Sequence, residues 1–344
     1  MLDRRPEHRS AGQVQPVATI AIPCHNGAAH LEPMVRSWLQ QSRQDFELLL
    51  VDDASTDASV ELVCRTAGDR VRIVRNQERR GLAANFAHAA SLVKTPFFCL
   101  AHQDDLYERD YLQRLLAALE AEPDAAFAHC SATAIDGDGN EITAAAERFK
   151  NGLARQAVGA TRSELYGLLW RGNFVCCPSV LFRTAAYRAV GGFDTRLSFA
   201  LDWELWFRMV RTGHRFTTVT TPLVRYRRHA DNATRSATRS LRRFEEELQV
   251  LQEAHAHGVA ERLMRAQRAP GRSLRNNLVN EAFEDLRHGD HTAFRDKLRF
   301  VSERVPHLRR DPYVLALRVL SRFGTLGVSA LGLGRRAAVR LGLG

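Results

Sequence analysis

The chain has 344 residues, of which 45% are hydrophobic and 26% are charged. This length suits one large domain with an appendage, and the composition excludes a disordered or fibrous chain. The formal net charge is +10, but residues 304–344 hold eight arginines against the single acid Asp311, a balance of +7. The rest of the chain is therefore near neutral, which argues against a nucleic-acid-binding protein.

The leader, the cysteines and the basic tail indicate where the protein works. The first 16 residues lack the apolar segment of a secretory signal, and we predict that 1–16 is a disordered leader. Six cysteines without a C-x-x-C spacing favour buried free thiols in a reducing compartment. The tail mixes arginine with apolar residues, which suits contact with an anionic membrane; a packed helix pair or a disordered end is the equal alternative. We predict a cytoplasmic protein, either free or peripheral at the inner face of the membrane.

Short apolar runs alternate with helical patterns through the first third of the chain. This alternation predicts βαβ units, and hence a mostly parallel sheet with helices on both faces. The predicted strands are 17–22, 46–51, 71–74, 97–101 and 126–131, and the predicted helices are 31–41, 57–67, 82–93 and 110–121.

The pattern becomes less regular from residue 161 onward, and the elements there are expected to cover the carboxyl edge of the sheet. They are a helix at 165–170, a strand at 179–182, a turn at 191–192, a helix from 202, and strands at 215–220 and 223–227. Beyond 236 the pattern is almost wholly helical, in segments 239–256, 274–288, 291–303 and 312–322. We therefore predict a main domain over 17–235 and a helical C-terminal region over 236–344.

Polar residues follow four of the predicted strands, at the edge where open α/β sheets bind their ligands. They lie in IPCHN (22–26), VDDASTD (51–57), RRG (79–81) ahead of Asn85, and AHQDD (101–105). Each set has an ordinary alternative: helix caps in the second, a surface charge in the third and a solvated turn in the fourth. Their joint occurrence at strand ends favours one shared site.

These residue types suit a nucleoside diphosphate. A divalent cation held by one or two carboxylates and by phosphate oxygens neutralises the charge that develops when such a group leaves. Asp104 and Asp105 are the natural holders of this cation. Asp53 and the segment 23–26 offer a carboxylate and a platform for base and ribose, and Arg80 is a partner for phosphate.

Six motifs occur in the order and spacing of a known family. IPCHNGA, VDDASTD, RRGLAANFAHA, HQDD, GGFD followed by LDWELWFR, and VRYRRHADNAT resemble the successive signatures of family 2 glycosyltransferases with the GT-A fold, which is a Rossmann-like α/β fold. The resemblance covers about residues 17–235. The HQDD and YRRH variants resemble those of rhamnosyltransferases.

The resemblance implies a role for each matching residue. It assigns nucleotide-sugar binding to Pro23, His25, Asn26, Asp52, Asp53, Arg80, Asn85 and Asp104. Within that set, Asp53 contacts the base and Asp104 the ribose or the sugar. Asp105 holds Mn²⁺ or Mg²⁺, and His229 lies near the metal or the diphosphate. His102 departs from the family pattern, in which an additional acid often precedes the QDD, so it leaves the choice of metal open.

The resemblance also assigns Asp202 as the base that deprotonates the acceptor hydroxyl, in a single displacement that inverts the anomeric centre. The alternative is that Asp202 only caps a helix whose apolar residues belong to the core. In such enzymes the segment NFVCCPS (173–179) lies near the acceptor cleft. Its adjacent Cys176 and Cys177 are expected to pack as buried thiols rather than to bind metal or undergo redox chemistry.

Together these features predict a metal-dependent, inverting glycosyltransferase that moves a hexose or deoxyhexose from a UDP-, dTDP- or GDP-sugar. The expected acceptor is a glycan or a lipid-linked glycan, in the synthesis of a surface polysaccharide, O-antigen or lipid-linked glycan. The alternatives are a non-catalytic binding module and a sugar-phosphate nucleotidyltransferase. The second would carry a glycine-rich phosphate loop after the first strand, which PCHNGAAH is not.

Overall fold

A computed structural model describes residues 15–143, 145–228, 237–264 and 272–320. These residues form two compact units, one of 15–228 with 257–264 and one of 237–256 with 272–320. The predicted boundary between 235 and 236 lies outside the described residues, as does most of the predicted leader. Both of these stay predictions.

The first unit is built on one sheet of eight strands. The strands are β1 (Ala18–Cys24), β2 (Phe46–Asp52), β3 (Val71–Arg75), β4 (Phe97–Leu100), β5 (Leu106–Tyr107), β6 (Ala125–Ile135), β7 (Val180–Arg183) and β8 (Arg215–Arg227). Their order across the sheet is β3-β2-β1-β4-β7-β6-β8-β5. Only β5 and β7 run against the other six strands, so the prediction of a mostly parallel sheet is confirmed.

The second half of this sheet differs from its prediction. Segments 179–182 and 215–227 were expected to cover the carboxyl edge, but they join the sheet as β7 and β8. In β7 the residues Val180, Leu181 and Phe182 are all buried, which suits a central strand that is covered on both faces. The two predicted strands at 215–220 and 223–227 form the single strand β8, whose pairing with β6 is irregular opposite Pro222, because proline cannot donate to the ladder.

Eight helices accompany these strands in the first unit. They are α1 (Ala28–Leu39), α2 (Ser59–Ala67), α3 (Leu82–Ser91), α4 (Tyr111–Ala121), α5 (Ala145–Ala157), α6 (Arg162–Arg171), α7 (Thr184–Ala189) and α8 (Leu201–Arg211). The sequence did not predict α5 or α7. α7 has only six residues, and α5 contains the helix-weakening pair Asn151-Gly152.

The core of the first unit lies between the sheet and its helices. Apolar runs in β1 and β2 pack against α1 and α4. An aromatic cluster fixes this contact: the ring centroid of Trp38 lies 4.4 Å from that of Tyr107 and 5.4 Å from that of Tyr111. All three side chains are buried, so they hold α1, α4 and the start of β5 together.

The helical C-terminal region is confirmed. Its helices are α9 (Arg242–Ala260), α10 (Arg272–Arg287), α11 (His291–Arg304) and α12 (Pro312–Leu320). A small core of Ala282, Leu286, Phe294 and Leu317 joins the last three helices. Among the described residues, no helix is both long and apolar enough to cross a membrane. The basic tail beyond residue 320 lies outside them.

The GGFD motif forms a turn that is held against α8. Gly191 and Gly192 both have positive φ, +85° and +69°. Arg208 of α8 donates from Nη1 to the carbonyl of Val190 and from Nη2 to that of Gly192, the latter at 2.6 Å. The turn therefore fixes the position of α8, the helix that begins at Leu201.

We expect Gly192→Ala to destabilise the first unit by about 2–4 kcal/mol. A Cβ there would lie 2.9 Å from Tyr187 Oη, so overpacking of about 1–3 kcal/mol adds to about 1 kcal/mol for a side chain at positive φ. Gly159 is a matched control, because its φ is +68° and a Cβ would meet no atom within 4 Å. Denaturant unfolding would check this, and an equal loss of stability in Gly159→Ala would contradict it.

Candidate active site

The loops that follow β1, β2 and β4 are tied together at one edge of the sheet. The backbone N–H of Asp53 donates to the carbonyl of Cys24 at 2.7 Å. Gln103 Oε1 accepts from the backbone N–H of His25 at 2.9 Å, and its Nε2 donates to the carbonyl of His25 at 3.3 Å. Asn26, at φ +49°, donates its backbone N–H to Ser55 Oγ. The predicted convergence of these strand ends is therefore present in the structure.

The Asp53 carboxylate holds the loop that precedes α3. Its Oδ1 accepts from Asn76 Nδ2 and from the backbone N–H of Arg80, both at 2.8 Å, and its Oδ2 accepts from the backbone N–H of Gly81 at 2.9 Å. The residue is only 2% exposed. The contact of Asp53 with a base, which the resemblance implies, stays a prediction, whereas its support of the Arg80 loop is visible directly.

Three other residues of the predicted nucleotide-binding set are buried. Asp52 Oδ2 accepts from the backbone N–H of Ser55 and lies 3.1 Å from Arg75 Nε. Asn85 Nδ2 donates to the carbonyl of Val51 at 3.1 Å, and Pro23 is buried in β1. Asp52 and Asn85 are thus already engaged with protein atoms, and all three residues support the surface of the site from below.

The surface of this edge carries the other members of the set. Asn26 and Arg80 are exposed, and His25 and Asp104 are partly exposed. His25 Nδ1 lies 2.8 Å from the carbonyl oxygen of Asp53, which orients its ring. These side chains are the ones that a ligand outside the sheet can reach.

His102, Asp104 and Asp105 form a group that suits a divalent cation. One ligand atom from each lies within 4.8 Å of the others. Asp105 is fully buried; its Oδ1 accepts from the backbone N–H of Arg227 at 2.8 Å, whereas its Oδ2 has no partner among the described residues. Burial, and then the charge of Asp104, raise the pKa of the Asp105 carboxyl well above its usual range. A cation would relieve both costs, so the donor set fits one.

Sequence reasoning missed two parts of this group. His102 appeared only as a departure from the family pattern, yet it lies beside the two carboxylates. Arg227 is buried, and its Nε donates to the carbonyl of Asp104 at 2.8 Å. The string VRYRRHADNAT pointed to this segment, but only for His229, which lies outside the described residues.

Asp202 lies in the first turn of α8. Its Oδ1 accepts from Asn173 Nδ2 at 3.2 Å and from the backbone N–H of Trp203 at 2.6 Å. The N-cap is Ala200, not Asp202, although the apolar residues of α8 do belong to the core. Burial raises the pKa of Asp202 to about 6, and the Asn173 hydrogen bond and the charge of Lys150 oppose this rise.

A small cleft lies next to these carboxylates. Its lining includes Glu147 and Lys150 of α5, Ser131 of β6, and Cys176. Glu147 Oε1 accepts from Arg228 at 2.6 Å, whereas Glu147 Oε2 and Ser131 Oγ are buried without partners among the described residues. The sequence did not indicate this cleft, because α5 was not predicted.

The two adjacent cysteines behave as buried thiols. Burial raises the pKa of Cys176 to about 12 and that of Cys177 well above its usual range, so both are protonated at neutral pH. The charges of Asp105 and Asp202 both add to the rise at Cys176. Both carboxylates are therefore close enough to this thiol to act on it electrostatically.

We expect Asp53→Asn to weaken UDP and GDP binding by about 10–100-fold. The amide cannot accept from both backbone N–H groups and Asn76, and a hydrogen bond to a charged group is worth about 1.5–3 kcal/mol. Isothermal titration calorimetry would check this. Asp57→Asn is the control, because Asp57 accepts instead from the N–H of Ala28. Asn76→Ala should also weaken binding, and unchanged affinity there would contradict the supporting role of Asp53.

Comparison with known proteins identifies a family and several relatives. The family model described as glycosyl transferase family 2 matches residues 19–191, half of the chain. An uncharacterized glycosyltransferase of Rickettsia typhi is 23% identical over 233 residues, which is 67% of this chain and 70% of the relative. The putative glycosyltransferase EpsE of Bacillus subtilis is 24% identical over 221 residues, which is 63% of this chain and 74% of the relative.

Solved structures share the fold. TarS 1-349 of S. aureus in complex with UDP-GlcNAc matches with a TM-score of 0.57 and 13% identity, covering 89% of this chain and 80% of that one. The mannosyltransferase PcManGT of Pyrobaculum calidifontis, in complex with GDP-Man and Mn²⁺, matches with a TM-score of 0.52 and 18% identity, covering 96% and 91%. The predicted GT-A fold is thus confirmed. The chain belongs to glycosyl transferase family 2.

Proposed function

We propose that this glycosyltransferase is metal-dependent and inverting, and that it moves a sugar from a nucleoside diphosphate sugar to an acceptor hydroxyl. One observation carries the proposal. Asp105 is buried and its Oδ2 has no hydrogen-bond partner among the described residues, which suits a cation, whereas Asp202 keeps Oδ2 clear of the two hydrogen bonds to its Oδ1, which suits a base. The charges of both carboxylates contribute to the raised pKa of the Cys176 thiol. A transferase needs these two functions side by side, whereas a binding module has no use for a base.

The donor is a UDP-, dTDP- or GDP-linked sugar. TarS and PcManGT are solved with UDP-GlcNAc and GDP-Man, and the loops after the first strands here carry the residues that the resemblance assigns to nucleotide-sugar binding. The Asp53 carboxylate accepts from the backbone N–H of Arg80 and so fixes the loop that carries the exposed Arg80 side chain. We expect it to bind the diphosphate, since arginine binds phosphate through paired hydrogen bonds.

Asp104 and Asp105 would hold the cation, which is Mn²⁺ or Mg²⁺ in this proposal. When bound, the cation neutralises the charge that develops on the departing diphosphate. Asp105 is fixed for this task, because the backbone N–H of Arg227 occupies one of its oxygens and leaves the other available. Asp104 is fixed through its backbone, whose carbonyl accepts from the Arg227 side chain.

Asp202 would act as the base. It takes the proton of the acceptor hydroxyl while that oxygen forms its bond to the anomeric carbon, and the bond from that carbon to the diphosphate oxygen breaks at the same time. Asn173 and the N–H of Trp203 both bind Oδ1, which leaves Oδ2 to receive the proton. Attack on the face opposite the leaving group inverts the anomeric centre.

The acceptor would approach from the side of the small cleft. The loops proposed for the nucleotide follow β1, β2 and β3, whereas the cleft is lined from β6, α5 and the segment before β7. β4, which leads to the cation group, lies between these two parts of the sheet. A glycan or lipid-linked acceptor and rhamnosyl transfer stay within the proposal and rest on the sequence resemblance. A cytoplasmic site of action at a membrane also stays within it and rests on the leader, the cysteines and the basic tail.

Nucleotide release from UDP-, dTDP- and GDP-sugars, with Mn²⁺ or Mg²⁺ and candidate glycan acceptors, tests this function. We expect release from one donor class to require metal and to be lost in Asp105→Ala. Asp202→Asn should retain donor binding but lose about 100- to 10,000-fold in turnover, the usual contribution of a general base. Asp138→Asn, at an exposed turn, is the matched control. If no donor turned over while donors still bound both variants, the protein would be a binding module.

The pH dependence of transfer tests the base. Because a raised pKa of about 6 leaves Asp202 protonated below that pH, kcat/KM at saturating metal should fall about tenfold per unit below pH 6 and be level above it. Lys150→Met should shift this fall in kcat/KM to higher pH, since the Lys150 charge lowers the pKa of Asp202. Lys94→Met, at an exposed lysine, is the control. If kcat/KM fell at the same pH in Lys150→Met as in the wild type, that would count against Asp202 as the base.

A further inference from the structure

Of the residues 102–105, three side chains belong to the cation group and one does not. The Gln103 side chain makes two hydrogen bonds, both with the backbone of His25. His102, Asp104 and Asp105 remain, and they supply one nitrogen and two carboxylate donors. The segment thus presents a mixed nitrogen and oxygen donor set.

The His102 ring is placed for ligation. Its backbone N–H donates to Tyr107 Oη at 3.2 Å, and its ring packs 5.3 Å from that of Phe86. Its Nδ1 lies 3.9 Å from Asp105 Oδ2, and its Nε2 is buried without a partner among the described residues. The ring is thus held beside the Asp105 carboxylate, with one of its nitrogens left without a hydrogen bond from the described residues.

The distances agree with a shared cation. Two ligands on opposite sides of one ion, with bonds of about 2.1 Å, lie at most about 4.2 Å apart. The separation of 3.9 Å between His102 and Asp105 is within this limit. The widest separation in the group, up to 4.8 Å, exceeds the limit by about half an ångström, which a small side-chain rotation closes.

The donor set has a consequence for the choice of metal. Mg²⁺ prefers oxygen ligands in near-ideal octahedral geometry, whereas Mn²⁺, a transition-metal ion that also favours carboxylates, accepts an imidazole nitrogen beside them more readily than Mg²⁺ does. We propose that His102 is a direct ligand of the cation and makes this site select Mn²⁺ over Mg²⁺. This inference rests on the proposed metal dependence, and it adds which of the two ions the chain prefers and which atom decides it.

Direct metal binding tests the proposal without reference to activity. We expect calorimetry with MnCl₂ or MgCl₂ to give at least about tenfold tighter Mn²⁺ binding by the full chain. His102→Gln should lose most of this preference, and His102→Asp should narrow it by strengthening Mg²⁺ binding. His214→Gln, a partly buried histidine at the start of β8, is the matched control and should behave as wild type.

Pulsed electron paramagnetic resonance of bound Mn²⁺ gives a second readout. The nitrogen coupling of a coordinated imidazole should be present in the wild type and in His214→Gln, and absent in both His102 variants. Mn²⁺ bound without this coupling, or an unchanged Mn²⁺ to Mg²⁺ ratio in His102→Gln, would overturn the role of His102 and leave the proposed function standing. Transfer that persists without any metal would instead overturn the metal dependence itself.

Discussion

A buried arginine holds the two halves of the sheet edge together. Arg227, at the end of β8, donates its backbone N–H to Asp105 Oδ1, its Nε to the carbonyl of Asp104, and its Nη1 to the carbonyls of Asp136 and Gly137. These hydrogen bonds fix the loop after β4 to β8. In the sheet, β8 lies two strands beyond β7, which is the antiparallel neighbour of β4. This contact adds to the pairing of β5 with β8, and together they position the cation group against the second half of the sheet.

The first half of the sheet could be predicted because its signals are local. Each parallel strand from β1 to β4 is a short apolar run followed by a periodic helix, so the order of elements determines the pairing. The second half could not be predicted in the same way. The four residues of β7 pair antiparallel between β4 and β6, and no pattern within Val180–Arg183 specifies partners so far away in sequence.

The candidate site, like the sheet, could be predicted only in part from the sequence. The sequence identified which residue types lie at the edge, but not which of them face a ligand. Asp53 and Asn85 fit a binding motif, yet both are engaged with protein groups, since Asp53 accepts from backbone N–H groups and Asn85 bonds the Val51 carbonyl. Conversely, His102 broke the motif and proves to be part of the cation group. Hydrogen-bond partners depend on the fold, and a motif names residue types without naming their partners.

Different neighbouring groups set the pKa values of Asp105 and Asp202. Burial raises the pKa of both carboxyls, but the groups near them differ. Asp105 has a second acid, Asp104, beside it, which adds to the rise, whereas the backbone N–H and the charge of Arg227 oppose it. Asp202 has an amide and the Lys150 charge beside it, which limit the rise to about 6. In the proposed mechanism Asp105 therefore holds the cation, and Asp202, with a pKa of about 6, gains and loses the proton of the acceptor.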